Sequence, residues 1–179
     1  MQLTSRDFRG LLNRRFLKNF LPIPASCQFQ LGEVLPDFTL SDSMGRSHQL
    51  SSYQGSPVVL AFTRIFTEKQ YCPFCYPHIL AMNRANVQFL GLGATVLMIT
   101  STDNTQSRVV AQTLSLEMPF LVNPSCSVFR QYGTGQALGA PLSAQFVLDA
   151  QGKLRFQHLF SFASHNATPE RVLWAIRNL

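Results

Sequence analysis

Two cysteines separated by two residues, Cys72 and Cys75 in the stretch QYCPFCYPHILAM (residues 70–82), lie where an apolar run gives way to a helical pattern. Such a pair can exchange electrons through a reversible disulfide, supply half of a zinc site, or sit inertly in a core. Upstream, Val58 to Phe62 follow Gly55 and Pro57 as an unbroken apolar run, the pattern of a strand covered on both faces. Downstream, Ile79, Leu80, Met82, Val87 and Leu90 predict a helix that continues to Gly91. A helix that begins at Cys72 places Pro73 in its first turn, where the missing N–H costs nothing. Unpaired amides and the helix dipole favour an anion there, and lowering a thiol pKa from about 8.5 to about 7 raises the thiolate fraction roughly tenfold. Cys72 is then the candidate nucleophile and Cys75, one turn further on, the resolving thiol.

The competing readings are weaker on the residues themselves. Zinc needs four ligands, and His78 is the sole nearby third candidate; Cys27, Cys126, His48, His158 and His165 show no paired spacing. No metal and no organic cofactor is therefore expected. Arg64, Glu68 and Lys69 lie in a charged loop before Cys72 and either lower its pKa or contact a substrate, or are merely solvated. His78 either passes a proton to Cys75 or fills a surface or capping role. Tyr71, Phe74 and Tyr76 make an aromatic rim suited to an apolar or peptide-like partner, with at least one of them expected in the core. Cys126 is either a third redox thiol or a small buried filler.

The elements that must hold this pair follow from length and pattern. The chain has 179 residues, 46% of them hydrophobic, enough for one full core and too few for two ordinary domains. Four cysteines in that length do not make a disulfide-stapled secreted scaffold. The first 20 residues are interrupted by charges throughout and lack the apolar run and cleavage site of a signal peptide, so a cytoplasmic protein is expected, with peripheral membrane attachment as the alternative. Residues 1–30 read as a basic amphipathic helix and linker: Phe8, Leu12, Phe16 and Phe20 recur every four residues until Pro22 and Pro24 stop the pattern. Arg6, Arg9, Arg14, Arg15 and Lys18 against Asp7 give residues 1–21 a net +4 of the chain's +6. That helix packs on its own domain, on a second subunit of a homodimer, or on a protein partner or anionic membrane surface. No basic patch continues into the domain, so nucleic acid is not an expected partner.

Residues 31–179 form the organised domain. A short strand through Phe38 and Leu40, a turn at Ser43 to Gly45 and a second short strand lead to the buried strand. Ala94 to Thr100 is another strand, and Asp103 or Asn104 caps a helix with Val109, Val110 and Leu114 inward. Phe120 to Val122 is a short strand, followed by a turn and short helix ending at Tyr132 and Gly133. A hairpin turned at Asp149 to Gly152 packs Phe146, Leu148, Leu154 and Phe156. Thr168 caps a final helix with Pro169 at its first position and Val172, Leu173 and Ile176 inward. Alternation of strand and helix implies parallel strands joined by right-handed crossovers.

The run of Gly32, Pro36, Asp37, Phe38, Leu40, Gly45, Leu50, Gly55 and Pro57 resembles the opening of the alkyl hydroperoxide reductase and thiol-specific antioxidant (redoxin) family of the thioredoxin superfamily. That resemblance implies an α/β thioredoxin-like fold, a central mixed sheet flanked by helices, here with an N-terminal amphipathic helical extension. Typical members carry Pro-x-x-x-Thr-x-x-Cys; here Lys69 stands three before Cys72, Thr67 is the nearest threonine, and the family's peroxide-polarising arginine corresponds by spacing to Ser143. The CPFC tetrad, with Pro73 and Phe74 between its cysteines, instead resembles the CPYC of glutaredoxins and the CxxC of thioredoxins. Those proteins place a cis-proline opposite the tetrad, where Ser143 now stands and Pro141 lies two residues earlier. The leading expectation is a peroxiredoxin-like thiol-disulfide oxidoreductase with Cys72 attacking, Cys75 resolving and Arg64, Thr67, Lys69, Pro73 and Phe74 supporting. Electrons would come from a thiol reductant such as thioredoxin or glutathione and pass to a disulfide or peroxide substrate. The alternatives are a thiol peroxidase and a non-enzymatic redox switch docked by the N-terminal helix.

Overall fold

Val58 to Phe62, which no polar residue interrupts, form the central strand, and all five are buried. The computed structural model describes residues 13–26, 28–161 and 163–179. Phe8, Leu12 and the first basic residues of the N-terminal stripe lie outside the described residues, as does Cys27. In chain order come α1 (Arg14–Lys18), β1 (Thr39–Ser41), β2 (Ser47–Gln49), β3 (Val58–Phe62), β4 (Ile65–Thr67), β5 (Gln70–Tyr71), α2 (Cys75–Gly91), β6 (Thr95–Thr100) and α3 (Asn104–Thr113). The chain continues with β7 (Phe120–Val122), α4 (Ser127–Gln131), β8 (Gln136–Ala137), β9 (Ala140–Pro141), β10 (Ala144–Leu148), β11 (Leu154–Leu159) and α5 (Pro169–Arg177).

The central sheet runs β11-β10-β3-β6-β7. β3, β6 and β7 are parallel, and β10 is antiparallel to both β3 and β11. Because β3 is buried on both faces, its side chains alternate between two cores. Val59 and Ala61 face α2, α3 and α5 through Ile79, Met82, Phe89, Val110, Val172 and Ile176. Leu60 and Phe62 face a second core closed by Phe38, Leu50, Phe129 and Tyr132. Phe62 is its hub, with ring centroids 5.0 Å from Phe129, 5.3 Å from Tyr132 and 5.8 Å from Phe146. The tyrosine's buried hydroxyl donates to the Pro36 carbonyl at 2.7 Å, as a buried phenol must find a partner.

Local signals set several element ends. The side chain of Asp103 accepts from the Gln106 N–H at 2.8 Å, and that of Thr168 from the Arg171 N–H at 3.4 Å with Pro169 in the first turn. Three expectations are corrected. The α2 helix begins at Cys75 rather than Cys72, because the residue before a proline is driven out of the helical region. Val87 and Leu90 are exposed at 68% and 59%, and Val109 is also exposed. The inward stripe of α2 runs instead through Cys75, His78, Ile79, Met82, Ala85, Asn86 and Phe89, two of its members polar, which a hydrophobicity pattern does not register. The charged stretch before Cys72 is a two-stranded hairpin, β4 pairing with β5, rather than an open loop.

The described N-terminal residues lie on the domain. Asn13 caps α1 by accepting from the Phe16 N–H at 2.9 Å. The strand-like stretch after it pairs Ile23 with Gln136 through two bonds of 2.8 Å, and Leu138 and Gly139 donate to the carbonyls of Phe20 and Asn19 at 3.0 Å each. Gly139 takes φ +87°, and a Cβ at that position would run into the Phe16 ring. Gly139→Ala is therefore expected to destabilise the fold by about 1–3 kcal/mol. A lowered urea midpoint at unchanged slope is the readout; an unmoved midpoint would mean that Phe16 is not seated there in solution.

Candidate active site

The turn between β5 and α2 is built by Pro73. The N–H of Cys72 donates to the Arg64 carbonyl at 3.4 Å, and the Cys72 carbonyl accepts from the N–H groups of Cys75 at 2.9 Å and Tyr76 at 3.0 Å. Cys72 therefore stands just ahead of the helix, with the N–H groups of Phe74 and Cys75 facing its sulfur. Both thiols are free and buried, Cys72 at 2% and Cys75 at 0% exposure.

Electrostatics separates the two. The hydrogen bond from the Cys75 thiol holds Cys72 well below the ordinary thiol range, to about 5, with the two backbone N–H groups and the Arg64 guanidinium assisting against the cost of burial. The same bond pushes Cys75 up, because losing its proton would forfeit the donor and set a second charge beside the first in a buried site. A buried pair in which one sulfur is the anion and the other the proton donor is poised for one thiol to attack and the other to follow.

Arg64 meets this pair three ways. Its carbonyl holds the Cys72 N–H, its own N–H faces the Cys75 sulfur, and its guanidinium supplies positive charge to Cys72. The side chain is buried at 7% exposure, lies 4.7 Å over the Phe66 ring and donates to the Ala137 carbonyl. Among the described residues its Nε finds no hydrogen-bond partner. Thr67 is buried and its hydroxyl accepts from the Lys69 N–H at 3.2 Å, closing the β4–β5 turn, while the Lys69 side chain is exposed.

The far side of the site comes from the segment after β11, which sequence reasoning did not single out as a functional element. The His165 ring stacks on Phe74 at 3.7 Å, and the Asn166 amide donates to the Phe74 carbonyl at 3.1 Å. Gln145 locks that segment, its amide donating to the Asn166 side chain at 3.0 Å and its oxygen accepting from the Ala167 N–H at 2.8 Å. Ser143 donates to the His165 carbonyl at 3.3 Å and also faces the Cys75 sulfur. Gln145, His165 and Asn166 lie 70 or more positions beyond the tetrad and no local spacing signals them, although a glutamine inside an apolar strand pattern is a hint; Ser143 was placed opposite the tetrad by the family resemblance. All peptide bonds among the described residues are trans, and Pro141 pairs with Gln136 in the β8–β9 hairpin.

Two other candidates take structural roles. His78 is kept neutral, its pKa lowered by burial to about 4, and its Nε2–H donates to the Ala167 carbonyl at 3.0 Å, bracing the same segment. Cys126 is buried with φ +57° at the start of α4, and burial pushes its thiol up. Among the described residues no three His, Cys, Asp or Glu side chains converge as metal ligands, and no helix is long and apolar enough to cross a membrane.

A parallel β3-β6-β7 core with an antiparallel hairpin on one side and helices on both faces, carrying a cysteine pair at the head of α2, defines a thioredoxin-like protein. Residues 31–157 match the AhpC/TSA family, and the chain belongs to that family. It is 28% identical over 126 residues to a thiol-disulfide oxidoreductase ResA of Geobacillus thermodenitrificans, covering 70% of this chain and 67% of that protein. It is also 28% identical over 150 residues to a chloroplastic peroxiredoxin Q of Triticum aestivum, covering 83% of this chain and 67% of that one. Among solved structures it is similar in fold to the peroxidoxin BcpB of Mycobacterium tuberculosis, with a TM-score of 0.71 and 21% identity over 85% of this chain and 99% of that one. The chain is a peroxiredoxin-like, thiol-dependent oxidoreductase of the thioredoxin superfamily.

The charge on Cys72 is open to direct measurement. Its alkylation by iodoacetamide should follow a pH profile centred near 5, far below the ~8.5 of a free thiol, and Cys75→Ala should move the profile upward. Between about pH 5 and the ordinary value of 9.0 the folded protein has lost a proton that the unfolded chain still holds. Reduced protein should thus gain stability as pH rises through that window and lose it as pH falls toward 5. The disulfide form, which lacks the titrating thiol, should show none of this component when the two forms are unfolded in parallel.

Proposed function

We propose that the chain runs thiol-disulfide exchange through Cys72 and Cys75, and the observation that carries this is a pair of free, buried thiols one turn apart at the head of α2, with Cys72 held below the ordinary thiol range and Cys75 above it. The Cys72 thiolate attacks one sulfur of a substrate disulfide, forming a mixed disulfide and releasing the other sulfur as a thiolate that takes a proton from solvent. Capturing Cys72 removes the negative charge that had held the Cys75 proton in place. Cys75 is then free to ionise, with the Arg64 N–H and the Ser143 hydroxyl facing its sulfur. It attacks Cys72, closes the intramolecular disulfide and releases the substrate as a second thiol. Two electrons have passed from the cysteine pair to the substrate, and a thiol reductant such as thioredoxin or glutathione restores the pair.

An open groove of about 480 Å³ borders Pro73, Phe74, Pro77 and the His165–Asn166 segment. Its rim of proline and aromatic side chains supports a peptide-like partner over a charged one.

A second reading is favoured by one observation, the buried Arg64 whose Nε has no partner. A small hydroperoxide reaching Cys72 would transfer one oxygen to the sulfur and leave as an alcohol or water, giving a sulfenic acid. Cys75 would then condense with it, releasing water and forming the same disulfide. Arg64 offers the positive charge that the departing oxygen needs.

Titration of the pair against a glutathione buffer, with alkylation and mass spectrometry as readout, should show a reversible two-electron transition confined to Cys72 and Cys75. Cys75→Ser should accumulate a stable mixed disulfide on Cys72, whereas Cys72→Ser should trap nothing. Failure to form the Cys72 to Cys75 disulfide at any poise would end this reading. Competition kinetics with hydrogen peroxide separate the two chemistries: a Cys72 rate no faster than that of an ordinary thiolate eliminates the peroxidase.

A further inference from the structure

Arg15, one of the basic residues of the N-terminal stripe, is half-buried, and among the described residues no salt bridge joins it to a carboxylate. Its guanidinium donates to the Ser101 carbonyl at 2.6 Å, to the Ser101 hydroxyl at 3.0 Å, to the Ile65 carbonyl at 3.5 Å and to the Phe66 carbonyl. Ile65 and Phe66 belong to β4, half of a hairpin of three and two residues outside the central sheet. A two-stranded hairpin of that size is marginal by itself, and its strand β5 leads directly into Cys72. Desolvating a guanidinium costs several kcal/mol unless its donors are used; here they are spent on the carbonyls of this hairpin and on the end of β6.

The same N-terminal stretch holds the other anchor of the site. The side chain of Arg64 rests on two supports, the Phe66 ring and the Ala137 carbonyl. Arg15 grips the backbone of the first. Residues 19–23 pair with the β8–β9 hairpin that carries the second, and the Gln136 side chain donates to the carbonyls of Lys18 at 3.1 Å and Leu21 at 3.2 Å. Both supports of the cation beside Cys72 are thus fastened by residues 15–23.

We propose that this N-terminal strap fixes where the Arg64 guanidinium sits, and so how strongly its charge is felt at Cys72, with Arg15 as the positioning residue. The proposal rests on the reading of Cys72 as the nucleophile. Arg15 does not touch the reacting sulfur; it sets where Arg64 sits. The charged and titratable groups that act directly on Cys72 are Cys75 and Arg64.

The test is the pH profile of Cys72 alkylation in the full-length reduced protein, read on the Cys72 peptide by mass spectrometry, with folding checked by circular dichroism at each pH. Arg64→Met should raise the midpoint; each unit of rise slows alkylation below the midpoint by up to about tenfold. Arg15→Met should raise it in the same direction, and Arg15→Met with Arg64→Met should show no more shift than Arg64→Met alone, since one residue acts through the other. Arg15→Lys should remain shifted, because an ammonium cannot reproduce the fork that spans three carbonyls. Gln136→Ala loosens the strap without touching Arg15 and should give a smaller shift of the same sign, which keeps the test available if Arg15→Met does not fold. A wild-type midpoint in both Arg15→Met and Gln136→Ala, with only the melting temperature lowered, overturns the proposal, as do additive shifts in the double variant or full restoration by lysine. No shift in Arg64→Met overturns instead the pairing of Arg64 with Cys72 on which it rests.

Discussion

Keeping one negative sulfur inside a protein is the constraint around which this structure is arranged. A thiolate at 2% exposure has given up most of its hydration, which by itself would drive the proton back on. Here the loss is offset from four directions: a thiol from one turn of helix, two backbone amides from the Pro73 turn, and a guanidinium from the end of β3. The Cys75 thiol contributes most; it and the two amides come from residues 74 and 75, whereas the guanidinium comes from a separate part of the chain, just after β3.

That dispersion explains how the rest of the fold is used. β3 is the rigid member, buried on both faces, and it delivers Arg64 at its end. The segment after β11 fixes the opposite side through Asn166 and His165 on Phe74, and Gln145 ties that segment back into the central sheet. Polar groups within apolar strands are costly unless satisfied. Gln145 meets that condition by using both ends of its amide on the same segment. The tetrad is thereby held by the Arg64 carbonyl on Cys72 and by Asn166 and His165 on Phe74, which lets a short turn hold a sulfur in one place.

In the proposed exchange, the order of events follows from how the two sulfurs share a proton. While Cys72 is an anion, the Cys75 proton is held; once Cys72 is bonded to a partner or to oxygen, the reason for holding it disappears. The sequence of events in exchange is thus written into the coupling between two groups and needs no separate base. His78, the nearest imidazole along the chain, is turned to the Ala167 carbonyl and neutral, so it serves the scaffold.

Part of this was legible residue by residue. The tetrad, the buried run of Val58 to Phe62, the Asp103 and Thr168 caps and the family resemblance are all local signals: dihedral preference, capping hydrogen bonds and periodicity act over a few residues and are visible in spacing. The exclusion of Cys72 from the helix is local too, since Pro73 disfavours the helical region for the residue before it. The inward face of α2 does not run through Val87 and Leu90 because its buried stripe includes the polar His78 and Asn86, and the His78 ring is satisfied by a carbonyl 89 positions away. Tertiary structure alone decided that Arg64 would be buried near the cysteine pair, that Arg15 would grip the hairpin ahead of Cys72, and that Gln145 and Asn166 would close the site. A charge reads the same on the page whether solvated or buried; which it becomes depends on acceptors 50 to 90 residues distant, and only the closed sheet brings those within reach.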